Sequence, residues 1–128
     1  MLAARPEWHR AALESLTGYF GAVAFSSEPY NFTKTTYYDA DMGRGLTRVF
    51  HVFARALDPA ELADWKTWSN AEEARLAAAL AGPSSPQRPV NIDTGYINGS
   101  KLVLASVKDH SHKIYLRDGM YADLVLGY

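Results

Sequence analysis

One stretch of the chain, residues 90–116, restricts the fold more than any other. It reads VNIDTGYINGSKLVLASVKDHSHKIYL, in which two apolar, strand-like runs are joined by Asn98-Gly99. Asn-Gly and Asp-Gly are the dipeptides that type I′ hairpins favour, because both central residues take a positive φ. Asp118-Gly119 repeats this signal further along the chain. The C-terminal third therefore predicts a β-meander.

Two other segments predict helices. In residues 6–19, apolar side chains recur three or four positions apart, which is the spacing of one helix face. Asp58 and Pro59 form a strong helix start, with an N-cap carboxylate followed by a proline at the first helical position. The second helix is expected to end at Leu80 or Ala81, because GPSSPQRP follows and its three prolines cannot continue a helix.

The remaining segments complete the predicted fold. Residues 22–25 predict a short strand, residues 30–45 an ordered, aromatic-rich loop, and residues 47–57 a central strand covered on both faces. The order helix, strand, strand, helix, strand, strand indicates an α+β fold, a mainly antiparallel sheet with two helices packed on one face. This is the ferredoxin-like βαββαβ arrangement without its first strand.

Composition excludes several classes of protein. A chain of 128 residues predicts a single domain, residues 1–128. Its formal net charge of −1 provides no long-range field to attract nucleic acid or an anionic membrane. The sequence has no cysteine, which excludes disulfides, cysteine-bound zinc and thiol catalysis. With neither a bilayer-spanning apolar run nor a secretory signal at MLAARPEWHR, we expect a cytoplasmic protein.

A pair of histidines raises the question of a metal. His110 and His112 would point the same way on a strand, and Asp109 or Asp93 would be the third ligand. The alternative is that one histidine hydrogen-bonds a loop carbonyl and the other is solvated. We favour that alternative because nothing in the sequence fixes a third ligand, so we predict no metal site, and no particular cofactor is indicated.

The triplet Asp93-Thr94-Gly95 matches the catalytic triplet of aspartic proteases, in which two carboxylates share a proton. A chain this short would have to dimerise to supply both carboxylates. Bulky Tyr96 follows where a small residue is usual, and no glycine-rich flap is recognisable. We favour the alternative that Asp93 caps a turn and Gly95 allows a bend.

The second helix carries a polar trio, Lys66, Asn70 and Glu73, at the edge of its apolar stripe. Residues three or four apart lie on neighbouring turns of one helix side. The trio is either part of a salt bridge that helps the helix dock or one wall of a polar pocket. The sequence favours neither reading over the other.

Four cations, Arg48, Lys101, Lys108 and Arg117, supply positive charge for an anionic ligand. The chain has no glycine-rich phosphate loop of the form GxxxxGK followed by Ser or Thr, so side chains would have to hold any phosphate. For each cation taken singly, a solvated surface position is the more common case.

Several segments together resemble a known bacterial family. They are SEPYNFTKTTYYDADMGRGLTRVF, LDPAELADWK, RPVNIDTGY, KLVLASVKDHSHKIYL and GMYADLVL. Across most of its length the chain resembles the bacterial domain of unknown function 4416 family. The resemblance implies a set of characteristic residues, most of them polar or glycine: Phe32, Tyr37, Tyr38, Met42, Gly43, Arg48, Lys66, Asn70, Asn91, Asp93, Gly95, Tyr96, Lys101, Lys108, Asp109, His112, Tyr115, Gly119 and Tyr121.

The chain departs from the family pattern at Thr94, Lys113 and Asp123, where proline, arginine and glutamate are usual. A proline at the first of these positions would abolish the protease triplet. Family members also tend to begin with an apolar strand and to continue past the last strand seen in this chain. The resemblance therefore implies a domain truncated at both ends, whose open sheet edge favours a homodimer.

The family has no established activity, so two classes of function stay open. In the first, a polar pocket binds an anionic small molecule or nucleotide-like ligand, with Asp93 or Glu73 as a base and His112 as an acid or a metal ligand. The predicted ligand-binding residues are Arg48, Lys66, Asn70, Asn91, Tyr96, Lys101, Lys108, Asp109, Tyr37 and Tyr38. Catalysis would require Asp93, Lys101, Lys108 and His112 to converge in one cleft.

In the second class, the protein is a non-catalytic binding module or a homo-oligomeric assembly module. The dimer interface would then include Tyr37 or Tyr38, since a dense aromatic segment normally covers another surface. The sequence contains no complete catalytic signature, so it does not decide whether the protein is an enzyme. The ionisable residues lead us to favour the ligand-binding class.

Overall fold

The computed structural model describes residues 1–33 and 35–128. Its helices are α1 (Pro6–Phe20), α2 (Asp39–Met42) and α3 (Leu62–Ala79), the last preceded by a 3-10 turn, Pro59–Glu61. Its strands are β1 (Leu2–Ala3), β2 (Val23–Ser26), β3 (Tyr30–Asn31), β4 (Thr47–Arg48), β5 (His51–Phe53), β6 (Val90–Asn91), β7 (Gly95–Ile97), β8 (Lys101–Ser106), β9 (Lys113–Arg117) and β10 (Met120–Gly127). The strand pairs are antiparallel. The predicted α+β class is confirmed.

The chain divides into two compact units. The first comprises Met1–Ala56 and Glu72–Ile92, and the second comprises Leu57–Ala71 and Asp93–Tyr128. The described strands form three sheets, β3-β4-β1-β6 and β2-β5 in the first unit and β7-β8-β10-β9 in the second. A ferredoxin-like fold has one sheet with both helices on one face, so that detail of the prediction is not confirmed.

In the first unit, α1 packs on the sheet that contains β1 and β6. The helix buries Trp8, Ala12, Leu16 and Phe20, which follow one another at intervals of four residues and so share one face. The predicted helix is confirmed. The structure corrects one detail, because a strand does precede this helix: β1 lies between β4 and β6.

The prediction that residues 47–57 form one central strand is wrong. Two short strands replace it, β4 in the larger sheet of the first unit and β5 paired with β2. Because the chain leaves one sheet and enters another, the intervening Phe50 is 45% exposed rather than covered. The strand predicted over residues 22–25 is confirmed, as β2.

The aromatic segment of residues 30–45 contains β3 and α2, and Lys34 lies outside the described residues. Met42 is fully buried in a small apolar cluster with Leu2 and Leu46. Phe32 and Tyr38 pack against that cluster. Burial of apolar side chains therefore contributes to the stability of this segment.

The second unit has its own core. Leu62 and Trp65 of α3 are buried, as are Val103 and Ala105 of β8 and Met120 of β10. The start of this helix follows the prediction, because the Asp58 carboxylate accepts a hydrogen bond of 3.0 Å from the backbone N–H of Ala60. Among the described residues, no helix is both long and apolar enough to cross a bilayer.

The second sheet is not the predicted meander. β8 and β9 both pair with β10, which lies between them, and both are antiparallel to it. β8 and β9 therefore run parallel to each other. β8 ends with Ser106 opposite Tyr121, whereas β9 begins with Lys113 opposite Asp123. Residues 107–112, which we call the crossing segment, must pass over β10 to connect them.

A connection of only six residues is short for parallel strands, which usually need a dozen or more. The crossing segment suffices because it has only two strand spacings to cross, about 10 Å, and an extended chain covers about 3.3 Å per residue. The segment is exposed along its whole length. It therefore lies across the sheet as a strap rather than as a packed helix.

The two predicted hairpin turns differ. Asp118 and Gly119 have φ values of 54° and 73°, as a type I′ turn requires. Neither Asn98 nor Gly99 has a positive φ, so the type I′ prediction is wrong for that turn. The Asn98 side chain instead accepts hydrogen bonds of 3.0 Å from the backbone N–H groups of Ser100 and Lys101. An asparagine can organise a turn in this way without left-handed backbone.

Candidate functional site

Several of the predicted site residues lie at one end of the second sheet, which we call the polar end. It includes Asp93 before β7, Ser106 at the end of β8, the crossing segment, and the start of β10. The register defines this grouping, since the N–H of Ala105 donates to the Thr94 carbonyl and Ser106 lies opposite Tyr121. Asp93, Lys108, Asp109 and His112 thus belong to the same end of the sheet.

A buried lysine holds Asp93. The Lys66 side chain on α3 is only 7% exposed, and its Nζ lies 3.3 Å from Oδ1 of Asp93, which is 48% exposed. An aspartic-protease pair instead needs two carboxylates that share one proton, whereas this contact of Asp93 is with an ammonium.

Asp123 connects the crossing segment to β9. Its Oδ1 lies 3.7 Å from Nε2 of His112, and its Oδ2 lies 3.4 Å from Nζ of Lys113. The Lys113 ammonium also donates a hydrogen bond of 2.8 Å to Oγ of Ser106.

A second contact holds the crossing segment to the sheet. Asp109 hydrogen-bonds the Tyr121 hydroxyl, and burial together with this carboxylate raises the pKa of Tyr121. The Tyr121 ring meets the ring of Tyr115 edge to face, with centroids 5.4 Å apart. The segment is therefore tied to β10 at two points, Tyr121 and Asp123.

The two histidines of the crossing segment lie near each other. The ring centroids of His110 and His112 are 5.8 Å apart, and both residues are exposed. Within residues 1–33 and 35–128, no three His, Cys, Asp or Glu side chains come together as metal ligands. Two imidazoles alone are fewer ligands than structural or catalytic zinc sites use.

Lys101 lies at the opposite end of β8 from Lys108. Five residue steps separate Lys101 from Ser106 along the strand, which is about 17 Å at the usual rise per residue. The four residues expected to converge are therefore not brought together as a set. Tyr96 lies between the two ends, opposite Val103.

Arg117 and Asn70 also belong to the second unit. Arg117 donates hydrogen bonds of 2.6 Å to Asp64 and 2.9 Å to Asp118, so its guanidinium bridges two carboxylates. Asn70 is half-buried on α3.

Glu73 and Asn91 belong to the first unit, where Arg88 joins them. Oε1 of Glu73 accepts a hydrogen bond of 2.6 Å from the Ile92 backbone N–H, and Oε2 lies 3.5 Å from the Arg88 guanidinium. Arg88 also donates 2.6 Å to the Asn91 side-chain oxygen. Both oxygens of Glu73 thus contact protein donors, an arrangement typical of a structural carboxylate.

The remaining predicted residues, Arg48, Tyr37 and Tyr38, form an aromatic group in the first unit. The Arg48 guanidinium lies 4.3 Å from the centroid of the Phe32 ring, and that ring is 5.9 Å from Tyr38. Tyr37 meets Tyr38 edge to face at 5.0 Å. Such contacts account for the cation without a ligand.

The sequence predicted no functional role for Arg88, Lys113 or Asp123. Arg88 lies in the proline-rich loop, which carries no periodicity that would predict its contacts. Lys113 and Asp123 meet through a hairpin whose register shifts between Met120 and Tyr121. The Asp118-Gly119 turn is the signal that could have brought these two strands together.

The fold and site define a class: an α+β protein with an antiparallel sheet whose crossing segment carries a cluster of ionisable side chains. The family model that matches the chain, over residues 1–128, is described as a domain of unknown function (DUF4416). The protein therefore belongs to the DUF4416 family, as the resemblance predicted. No curated protein and no solved structure matches the chain.

Proposed function

We propose that the second unit binds a small anion at the crossing segment, through Lys108, His110 and His112. One observation carries this proposal. A six-residue strap lies across β10 and exposes these three side chains together on one short segment. A lysine ammonium and the N–H groups of two imidazoles are hydrogen-bond donors that suit an anion.

The surrounding carboxylates support the same reading. Asp109 is hydrogen-bonded to Tyr121, and Asp123 contacts Lys113 as well as His112. These contacts hold the segment in place on β10, and Lys108, His110 and His112 are all exposed on it. Positioning by fixed partners reduces the ordering cost of binding.

Catalysis by this site stays a prediction. Asp93, beside Lys66, keeps an exposed carboxylate that suits a base, and His112, 3.7 Å from Asp123, suits an acid or a proton carrier. Glu73 is the weakest of the three, because both of its oxygens contact protein donors. We therefore propose ligand binding as the primary function and assign no reaction.

The binding proposal is tested by calorimetric titration with inorganic phosphate and pyrophosphate. Replacing Lys108 or His112 by alanine should weaken pyrophosphate binding about tenfold, because each change removes a charge-assisted contact. Arg44→Ala is the matched control, since the Arg44 side chain is 92% exposed and lies in the first unit. It should leave the affinity unchanged.

Lys101→Ala adds a geometric test. Because Lys101 lies about 17 Å along β8 from the polar end, its loss should have a much smaller effect than the loss of Lys108. Equal effects of Lys101, Lys108 and Arg44 would mean nonspecific attraction and would contradict the site. Absence of phosphate and pyrophosphate binding would contradict the proposal itself.

A second candidate, homo-oligomeric assembly, has a specific observation in its favour. β9 is an edge strand of the second sheet, and Ile114 on it is 72% exposed. Leu124 and Leu126 on β10 are 60% and 53% exposed. Unpaired strand edges with apolar side chains favour pairing with another chain.

A further inference from the structure

An exposed tyrosine lies on the same face of the second sheet as the contacts that hold the crossing segment. Tyr115 is opposite Tyr121, and Lys113 is opposite Asp123, so the register places all four side chains on one face. Tyr115 is 58% exposed. An aromatic ring so exposed beside a charged cluster has a surface available for stacking.

The ring of Tyr115 is held in place from behind. Tyr121 meets it edge to face at 5.4 Å, and Tyr121 is itself hydrogen-bonded to Asp109 of the crossing segment. The aromatic pair and the crossing segment are therefore parts of one connected structure. A ring held in this way loses little conformational freedom when a ligand stacks on it.

The spacing also suits one ligand. Tyr115 follows His112, the last residue of the crossing segment, by three residues, which is at most about 10 Å between Cα atoms at the usual rise per residue. The ring and this end of the basic segment are therefore close enough for one nucleotide to contact both.

We infer that the anion is the phosphate of a free nucleoside phosphate, whose base stacks on Tyr115 while Lys108, His110 and His112 contact the phosphate. This inference rests on the proposed anion site and names its ligand class. Aromatic stacking recognises any base, because every base has a π-face. The net charge of −1 favours a mononucleotide over a nucleic acid, which requires a more extended basic surface.

The experiment compares pyrophosphate with ADP by calorimetry on the intact chain. ADP should bind at least about fivefold more tightly than pyrophosphate, which is the lower end of the stacking contribution for one base. Tyr115→Ala should abolish this advantage, so that ADP binds no more tightly than pyrophosphate in the variant. Tyr115→Phe should retain the advantage, because the ring survives.

Tyr128→Ala is the matched control. Tyr128 is 64% exposed, but its hydroxyl donates to the Asn98 carbonyl at the opposite end of the sheet. Its loss should change neither affinity. Circular dichroism and urea unfolding of each variant show whether it is folded, and the comparison of two ligands on one sample corrects for partial unfolding.

Three outcomes would overturn the inference: equal affinities for ADP and pyrophosphate in the wild type, an equal loss of both in Tyr115→Ala, or a short oligoribonucleotide that displaces ADP at lower concentration. These three outcomes differ from those that would contradict the anion site itself. The anion site fails if pyrophosphate does not bind, or if Lys108→Ala leaves the pyrophosphate affinity unchanged. A preserved pyrophosphate site without an ADP advantage therefore rejects the nucleotide alone.

Discussion

Gly95 is a residue at which the absence of a side chain is a structural requirement. A Cβ at this position would overlap the backbone carbonyl of Val103 and lie 2.7 Å from Cδ2 of Leu104. The close approach of β7 to β8 therefore depends on glycine. This gives the triplet that contains Gly95 a role in strand pairing.

We expect Gly95→Ala to lower the free energy of unfolding by about 2 kcal/mol, since overpacking against backbone cannot be relieved by a rotamer change. Urea denaturation measures the effect. Gly99→Ala is the control, because nothing lies within 4 Å of its added Cβ and its φ is not positive. A loss no larger at Gly95 than at Gly99 would contradict the close approach.

At the scale of single residues, the sequence indicated that some polar side chains form contacts, but it did not indicate their partners. Lys66 and Glu73 were placed at the edge of the apolar stripe of the second helix, and both do form ion pairs. Their partners, Asp93 and Arg88, lie 27 and 15 positions away in the chain. No local pattern links residues so far apart in irregular segments.

Among the elements, α1, α3 and the Asp118-Gly119 hairpin were predictable from the sequence because their signals are local. The contact between Lys113 and Asp123 was not. A tight two-residue turn without a bulge would pair Asp123 with Ile114, but the register shift between Met120 and Tyr121 moves Asp123 opposite Lys113. A single bulged residue therefore determines which side chains meet beside the crossing segment.

The exposed edge strand β9 leads to a prediction about assembly. If a second copy pairs along this edge, light scattering should detect a dimer, and Ile114→Lys should weaken it at least about tenfold by adding a charge to an apolar contact. Ile114 is suitable because it is 72% exposed and its replacement removes little core packing.

Tyr37→Lys is the comparison for this test, because Tyr37 is 65% exposed in the first unit and was the interface residue expected from sequence. Dissociation by the Tyr37 variant and not by the Ile114 variant would transfer the interface to the aromatic segment. A wild-type chain that stays monomeric at high concentration would reject the assembly function.

For the molecule as a whole, two half-buried histidines contribute to the pH dependence of stability. Burial lowers the pKa of His9 and of His51 from the ordinary value of 6.5. Their ring nitrogens lie 2.8 Å from the hydroxyls of Thr47 and Ser26, respectively. Below pH 6.5 the unfolded chain binds more protons than the folded chain, so stability decreases as the pH falls.

We therefore expect the free energy of unfolding to be highest above pH 6.5 and to decrease as the pH falls through the lowered pKa values of His9 and His51. Urea denaturation between about pH 8 and pH 5 covers this range. The double variant His9→Gln, His51→Gln should show a shallower decrease.

Glu72→Gln is the control for the pH experiment. Its hydrogen bond from Arg75 lowers the Glu72 pKa from 4.5, so the stability that this carboxylate contributes is lost only at more acidic pH. The Glu72 variant should therefore keep the decrease of stability below pH 6.5. An unchanged slope in the double histidine variant would contradict the assignment to His9 and His51.

The position of β10 between two parallel strands has a consequence for the order of folding. As the chain is synthesised, β8 can pair with β7, but β9 has no neighbouring strand until Met120–Gly127 has left the ribosome. The second sheet therefore closes only once β10 has been made, because β10 pairs with β9 through the Asp118-Gly119 hairpin and also pairs with β8. Loss of β10 would therefore remove the centre of the sheet and leave β9 and the crossing segment unsupported.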